Sequence, residues 1–466
     1  MEKFWKKPAS VGPIEPVGRF QRFNLLENPF PSQPFVNKDA TDNRINGKIF
    51  EMQIRMKEYE QIESNFLKVP QTDPSHIRLG YVVDTSYVGR GNGKSAFLVN
   101  LLERINREYC LDISEGINKC FAAYVAPEAG GRTKTFDRFV DLIFASIIDS
   151  NIINICLAAL RLEALLTLKP DFEVTSHFPS DDDLINGLNS EEWFSKNNLQ
   201  PRELQKVVLK NDFLQTLPKE FPLYSSMRIF QSLPTQEDFK QYYLQQKKTK
   251  DRLEVVFSYL VDFFRAANFN GAYVLVDDFE RIPDFQSSRQ KRDFALELRS
   301  CLFDGLYTNA KIGFYNFFLV LHAGVPRLVQ EAWSDSGMEN RSPISPSLMS
   351  ARHIIPFEKL TRDHAKLLLK RYLSEYRIDP KAANNLFPFE ERAVYKIAEL
   401  SELNASKILK MAFDLLDQAS KDEKHTIIDE AFIESFADKN IIEDRPEEGI
   451  ASANTIDLID KAKKTE

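Results

Sequence analysis

The chain has 466 residues, enough for two or three domains and for a core that needs no staples. Apolar content of 43% and charged content of 28% are those of an ordinary globular protein and exclude a disordered or fibrous chain. The net charge of −7, from 61 basic and 68 acidic residues, argues against general polyanion coating but not against a local basic groove.

Residues 1–22 contain prolines and mixed charge and are predicted to form a mobile arm. Phe23 to Pro31 follows, with Leu26-Glu27-Asn28-Pro29-Phe30 at its centre. It is either a surface loop with two buried aromatics or a linker packing near a nucleotide base. Residues 48–67 are predicted to be helical, with Ile54, Met56, Tyr59, Ile62 and Phe66 on the apolar face.

The stretch from 79 to 107 organises the chain. Tyr81-Val82-Val83 predicts a buried strand, Gly89-Arg90-Gly91-Asn92-Gly93 a glycine turn, and Lys94-Ser95 the start of an amphipathic helix carrying Phe97, Leu98, Leu101 and Leu102. Strand, glycine loop, Lys-Ser and helix is the order of a phosphate-binding P-loop. Glycines let successive N–H groups turn inward around an anion, and the helix adds its first N–H groups, Ala96 included. Lys94 would neutralise the phosphates and the Ser95 hydroxyl would ligate Mg²⁺. One departure is visible: the position of the first glycine is Val88, and a glycine falls one residue later, at Gly89. An ordinary glycine turn before a surface helix is the competing explanation.

Cys120 to Val125 predicts a second strand, ending in Pro127-Glu128-Ala129-Gly130-Gly131 and Arg132. Glu128 and Arg132 are candidates for a phosphate or partner contact, or else loop decoration. A helix is predicted from Thr135. A bare crossover between parallel strands needs only about 12 to 40 residues, so roughly a hundred are inserted before the next strand. Residues 151–253 are read as a helical subdomain. It contains a polar loop, Ser180-Asp181-Asp182-Asp183, and a basic run from Lys247 to Arg252. The run is either a solvated helix face or a nucleic-acid or partner contact.

A helix over 253–267 leads into Tyr273 to Val276, a short apolar strand ending in Asp277-Asp278. A nucleotide-hydrolysing site needs one carboxylate for the magnesium shell and a second to orient water. A long helix is predicted from Ser288 to Leu306, then a strand from Phe314 to Leu321 that delivers His322 at its tip. His322 is a γ-phosphate sensor candidate or a satisfied core histidine. Residues 333–350 are read as a loop holding Arg341, with Arg352 just after it, and Ile354 to Phe357 as a last strand. Four helices are predicted at 361–376, 387–402, 404–420 and 426–438, capped in part by Thr361 and Thr426. The tail after 440 is expected to be frayed.

Four scattered cysteines without metal-ligand spacing suggest a reducing compartment. The first residues lack an apolar signal, and the greasiest stretch, 147–166, carries Asp149, Arg161 and Glu163. A soluble, cytoplasmic protein without a membrane partner is expected.

The order of motifs resembles the AAA+ and STAND branch of P-loop ATPases, with closer likeness to the origin-recognition, ExeA/TniB and KAP-like groups and to ATPases of bacterial anti-phage loci. Leu26 to Phe30 is similar to the Asn-Pro-Phe signature of ExeA/TniB-like proteins. Asp277-Asp278-Phe279-Glu280-Arg281 is similar to the acidic strand ending of the KAP and STAND groups. Pro356-Phe357 with Leu360-Thr361 looks like the entry into an initiator-type lid.

The resemblance implies an α/β fold: a P-loop core with a parallel sheet over 23–150 and 254–356, the helical insertion, a four-helix lid over 357–440 and a flexible tail. It implies ATP and Mg²⁺ as cofactors, with phosphate cradled by Gly89 to Gly93, neutralised by Lys94, and Mg²⁺ held by Ser95 and Asp277. Asp278 stands where a water-polarising glutamate is common, and Glu280 follows two residues on. The lid arginine of the family is replaced at Ser406 or Lys407, and lysine cannot make a bidentate contact. Arg341 or Arg352 would serve a neighbouring subunit as an arginine finger, or make an ordinary salt bridge. The implied function is an ATP-driven switch or motor, hydrolysing ATP and acting with a protein partner through the insertion in a DNA transaction or anti-phage defence. Nucleic-acid contact and ATP-dependent homo-oligomers belong to that expectation. A non-catalytic ATP-binding scaffold is the alternative, and a small-molecule kinase a distant third.

Overall fold

The computed structural model describes residues 18–85, 90–111, 118–128, 130–224, 232–322, 325–344, 351–379, 381, 385–422 and 425–440. The chain divides into two compact units, Val36–Lys359 and Met1–Phe35 with Leu360–Glu466.

The larger unit is an α/β structure. Its described strands are β1 (Leu79–Asp84), β2 (Cys120–Val125), β3 (Gly271–Val276), β4 (Tyr315–Leu321) and β5 (Ile354–Phe357). They form one parallel sheet in the order β2-β3-β4-β1-β5. Parallel sheets are covered on both faces, which explains why these strands are nearly continuous apolar runs. The period of two sorts their side chains. Leu79, Tyr81, Val83, Phe121, Val274, Phe317 and Leu319 join one apolar cluster, and Val82, Ala122, Tyr273, Leu275, Phe318 and Val320 the other.

The helix Lys94–Glu108 that follows β1 covers the second face with Phe97, Leu98, Leu101 and Ile105. The helices Phe136–Asp149, Ser288–Leu302 and Val325–Ser336, which follow β2, β3 and β4, lie on the first. Connections leaving β1 and β4, which are neighbours, therefore go to opposite faces. Such a switch point, beyond the carboxyl ends of the strands, is where ligands of open α/β sheets bind.

Several expectations need correction. The 48–67 segment is a 3-10 turn (Met52–Arg55), an α-helix (Met56–Ile62) and a π turn (Glu63–Leu67), and Met56 is exposed. The helix 253–267 begins earlier, at Thr249, and carries a π turn over Val255–Tyr259. The helix after β3 stops at Leu302 rather than Leu306. The 333–350 loop loses its first four residues to Val325–Ser336. Ser180 to Asp183 is not a loop. Ser180 caps the helix Asp181–Leu188 by accepting from the Asp183 N–H, and three aspartates complement the positive end of its dipole.

The inserted helices are not a separate body. Ile153, Cys156, Leu157, Leu188, Leu204, Phe221 and Phe239 lie in the same apolar cluster as β1, β3 and β4. Arg161, almost wholly buried, donates to the carbonyl oxygens of Leu188 and Pro234 and ties this region together. Of the basic run, Arg252 faces inward to Asp141 at 3.0 Å, while Lys247, Lys248 and Lys250 are exposed. Among the described residues no single helix is long and apolar enough to cross a membrane. The apolar pair Phe136–Asp149 and Ile152–Leu168 is bent by 55° and packs into this core.

The smaller unit holds the helices Arg362–Glu375, Glu391–Leu400, Ala405–Lys421 and Glu430–Asn440. Thr361 caps the first, as expected. Asp429 rather than Thr426 accepts from the Phe432 N–H at the last. Residues 18–35 belong with these helices, not with the sheet. Phe30 packs on Tyr372 and Phe389, Asn28 donates to the Phe413 carbonyl oxygen, and Arg377 donates to that of Phe23. Residues 18–22, expected in the arm, are ordered here, with Phe20 buried and Arg19 paired to Asp417. Residues 23–30 thus form the loop with two buried aromatics. Residues 1–17 and the tail from 441 lie outside the described residues.

Candidate functional site

The carboxyl ends of β1, β3 and β4 bring together the residues singled out for phosphate and metal chemistry. Gly89 lies outside the described residues. Gly91 and Gly93 have φ of +108° and +85°, backbone that glycine adopts without a Cβ penalty. Among the described residues a Cβ built on Gly93 would meet nothing within 4 Å, which leaves space on that side of the loop. The first helical i→i−4 bond runs from Phe97 N to the Gly93 oxygen, which leaves the N–H groups of Lys94, Ser95 and Ala96 ahead of the helical ladder.

Two residues unrecognised in the sequence hold this loop. Asp84, the last residue of β1, accepts from Lys94 Nζ at 2.7 Å and from Asn92 Nδ2 at 3.2 Å. Arg55 donates to the Asn92 carbonyl oxygen at 3.0 Å and to Glu58 at 2.9 Å, with its guanidinium 3.7 Å from the Phe357 ring centroid. Its burial pulls the guanidinium down, and Glu58 opposes that. An aspartate closing a buried strand just before a glycine loop is a signal that could have been read. Nothing in its local pattern marks Arg55.

Asp277 ends the β3 run and is buried. The Tyr124 hydroxyl donates to its carboxylate at 2.7 Å and the Asp278 N–H at 3.0 Å, and Ser95 faces the same group. Burial and the charge of Asp278 raise its pKa, and these bonds offset part of the rise. Asp278 is left-handed, at φ 44°, a strained backbone for a residue with a Cβ. Its carboxylate lies 2.5 Å from Arg281 and 3.5 Å from His322 Nε2. Burial alone would raise its pKa, but His322 and Arg281 lower it on balance.

Glu280 falls on a 3-10 turn, Phe279–Arg281, that folds its side chain inward to 4% exposure. Its Oε1 is 2.9 Å from His322 Nε2 and 3.7 Å from Arg90 of the glycine loop. Among the described residues neither Glu280 oxygen makes a directed hydrogen bond, and nor does His322 Nε2, so the contact is one of charge rather than of aligned donor and acceptor. Burial works to lower the imidazole pKa, but the two carboxylates beside it lift it to about 9.

The remaining candidates have partners of their own. Arg341 is next to Ser342, whose hydroxyl donates to the Leu79 carbonyl oxygen, and Arg352 precedes β5. Both therefore sit at the amino end of the sheet, opposite Lys94 and Asp277, and neither reaches this site within its own chain. Glu128 and Arg132 pair with each other at 3.5 Å beyond the edge strand β2. Lys407 is in the smaller unit, on the first turn of Ala405–Lys421, and pairs with Glu402 at 2.6 Å.

No family model, curated protein or solved structure matches the chain.

Proposed function

We propose that the larger unit binds ATP with magnesium at the loop leaving β1 and hydrolyses it. The observation that carries this is that the glycine loop meets the acidic tip of β3: Arg90 stands 3.7 Å from Glu280, and Ser95, at the helix start, is close enough to the Asp277 carboxylate to lower its pKa. The residues fit the group: open space at Gly93, a helix start rich in forward N–H groups, a buried ammonium, and a hydroxyl beside a carboxylate. Ser95 and Asp277 would hold the metal, and Lys94 with the N–H groups of residues 91–96 would hold phosphate. Magnesium supplies charge neutralisation on phosphate oxygens. Lys94 has three donors, so keeping Asp84 as one partner leaves others for an anion. Glu280, buried and without a directed hydrogen bond, is the better placed of the two further carboxylates to accept a proton from water, since Arg281 occupies Asp278.

The test is equilibrium binding of labelled ATP, with and without magnesium, to wild type, Lys94→Ala and Ser95→Ala, followed by hydrolysis assays. Saturable magnesium-dependent uptake lost in both variants supports the proposal. Absence of uptake by folded wild type overturns it. The Arg281–Asp278 pair favours a second reading, an ATP-binding scaffold with turnover near background, which a single-turnover assay separates from an ATPase. An assembly partner and a role in DNA transactions or anti-phage defence rest on the family resemblance and are part of the same proposal.

A further inference from the structure

Asp278, Glu280 and His322 each offer one donor atom, and these atoms lie within 4.8 Å of one another. We propose that the three side chains form a site for a divalent first-row metal, of the Mn²⁺ or Zn²⁺ class, separate from the Ser95 and Asp277 pair. The inference does not rest on nucleotide binding.

Two of the donor spacings are those of a coordination polyhedron. Donors bound at about 2.1 Å stand about 3.0 Å apart across an octahedral edge and about 3.4 Å across a tetrahedral one. His322 Nε2 stands 2.9 Å from Glu280 Oε1 and 3.5 Å from Asp278 Oδ1. The independent observation is Glu280 itself. Its carboxylate is 96% buried by side-chain exposure, and both its oxygens lack a directed hydrogen bond, as does the nitrogen facing it. The charge of His322, with Arg90 farther off, is what these oxygens face, and a divalent ion bound in place of the imidazolium proton would supply directed bonds instead.

The elements are rigid enough to present such a site. Asp278 and Glu280 are fixed by the left-handed turn and the 3-10 turn after β3, and His322 by the end of β4, which pairs with β3. Asp278 also keeps Arg281 as an ion-paired neighbour, a contact that orients a ligating carboxylate. One imidazole with two carboxylates suits Mn²⁺, Fe²⁺ or Zn²⁺, whereas Mg²⁺ prefers oxygen donors and its own water.

The experiment uses the full chain, stripped of metal and free of nucleotide, titrated with Mn²⁺ alone and followed by loss of the free-ion EPR signal, then repeated with Zn²⁺ as competitor. One ion per chain is expected, displaced by Zn²⁺ and not by equimolar Mg²⁺. His322→Ala and Glu280→Gln should each weaken uptake at least about tenfold. Ser95→Ala and Lys94→Ala should leave it unchanged while abolishing ATP uptake, which separates failure of this site from failure of the nucleotide reading. Circular dichroism of each variant controls for folding. No saturable Mn²⁺ or Zn²⁺ uptake by folded wild type, or equal uptake by folded Glu280→Gln, overturns the proposal and leaves an ion triad only.

Discussion

The ammonium of Lys94 donates to the Asp84 carboxylate across 2.7 Å, with both side chains no more than 5% exposed. Removing one member of a buried pair strands the other and typically costs about 3–5 kcal/mol, more than removing both. Lys94→Ala and Asp84→Ala should each lower stability by about that amount, Lys94→Ala somewhat less, because Asn92 still donates to Asp84. The double variant Lys94→Ala with Asp84→Ala should lose less than the sum. Urea denaturation of the four proteins measures the coupling, and strict additivity would refute the pairing. Loss of ATP uptake in Lys94→Ala therefore has to be read together with its melting curve.

Gly93 separates backbone cost from ligand space. With φ of +85°, alanine there costs about 1–2 kcal/mol, yet its Cβ clashes with nothing. Gly305, at φ +72° and equally open, carries the same backbone cost away from the loop. Both alanine variants should lose similar stability in thermal melts. Only Gly93→Ala should weaken ATP uptake, by at least tenfold. Equal uptake by the two would remove the glycine loop from the phosphate site.

Gly80 tests the sheet itself. A Cβ there would stand 2.7 Å from the Phe66 ring and 3.0 Å from that of Phe318, and these rings are packed at a centroid distance of 4.5 Å. Overpacking of this kind costs about 1–3 kcal/mol. Gly80→Ala should lower the denaturation midpoint, and adding Phe66→Leu should recover part of the loss.

The cysteines give a check on burial. All four are buried and unbridged, and burial pushes the Cys110 thiol up to about 12 and raises the other three as well. A raised thiol pKa leaves almost no thiolate at pH 8, and the thiolate is the reactive form. Native protein should therefore show no fast reaction with a disulfide reagent at pH 8, and four reactive thiols after denaturation. A fast-reacting thiol in the native protein would mark a part of the core that is open.

The strands around the candidate site were legible because each is a local run. Tyr81 to Val83, Tyr273 to Val276 and Phe314 to Leu321 are apolar stretches of strand length, bounded by polar or glycine-rich turns. Lys94, Ser95, Asp277 and His322 could be placed at strand tips for the same reason. Asp84, Tyr124 and Arg55 were missed because what they do depends on their partners. Tyr124 reads as an ordinary strand residue until β2 lies beside β3, which carries its hydroxyl to Asp277. Arg341 and Arg352, chosen for charge in a loop, fall at the wrong end of the sheet for their own chain, since a loop's sequence does not say which end of a strand it serves.

Local pattern alone thus determined where the strands run and which polar groups their carboxyl ends deliver, because apolar period and glycine placement act over a few residues. Strand order decided the rest. It set β3 and β4 side by side, so that Glu280 meets His322, while helix packing within the smaller unit set Phe30 against Tyr372, more than three hundred residues away in sequence. Such meetings are fixed by packing the whole chain at once, and no short stretch of it carries that information.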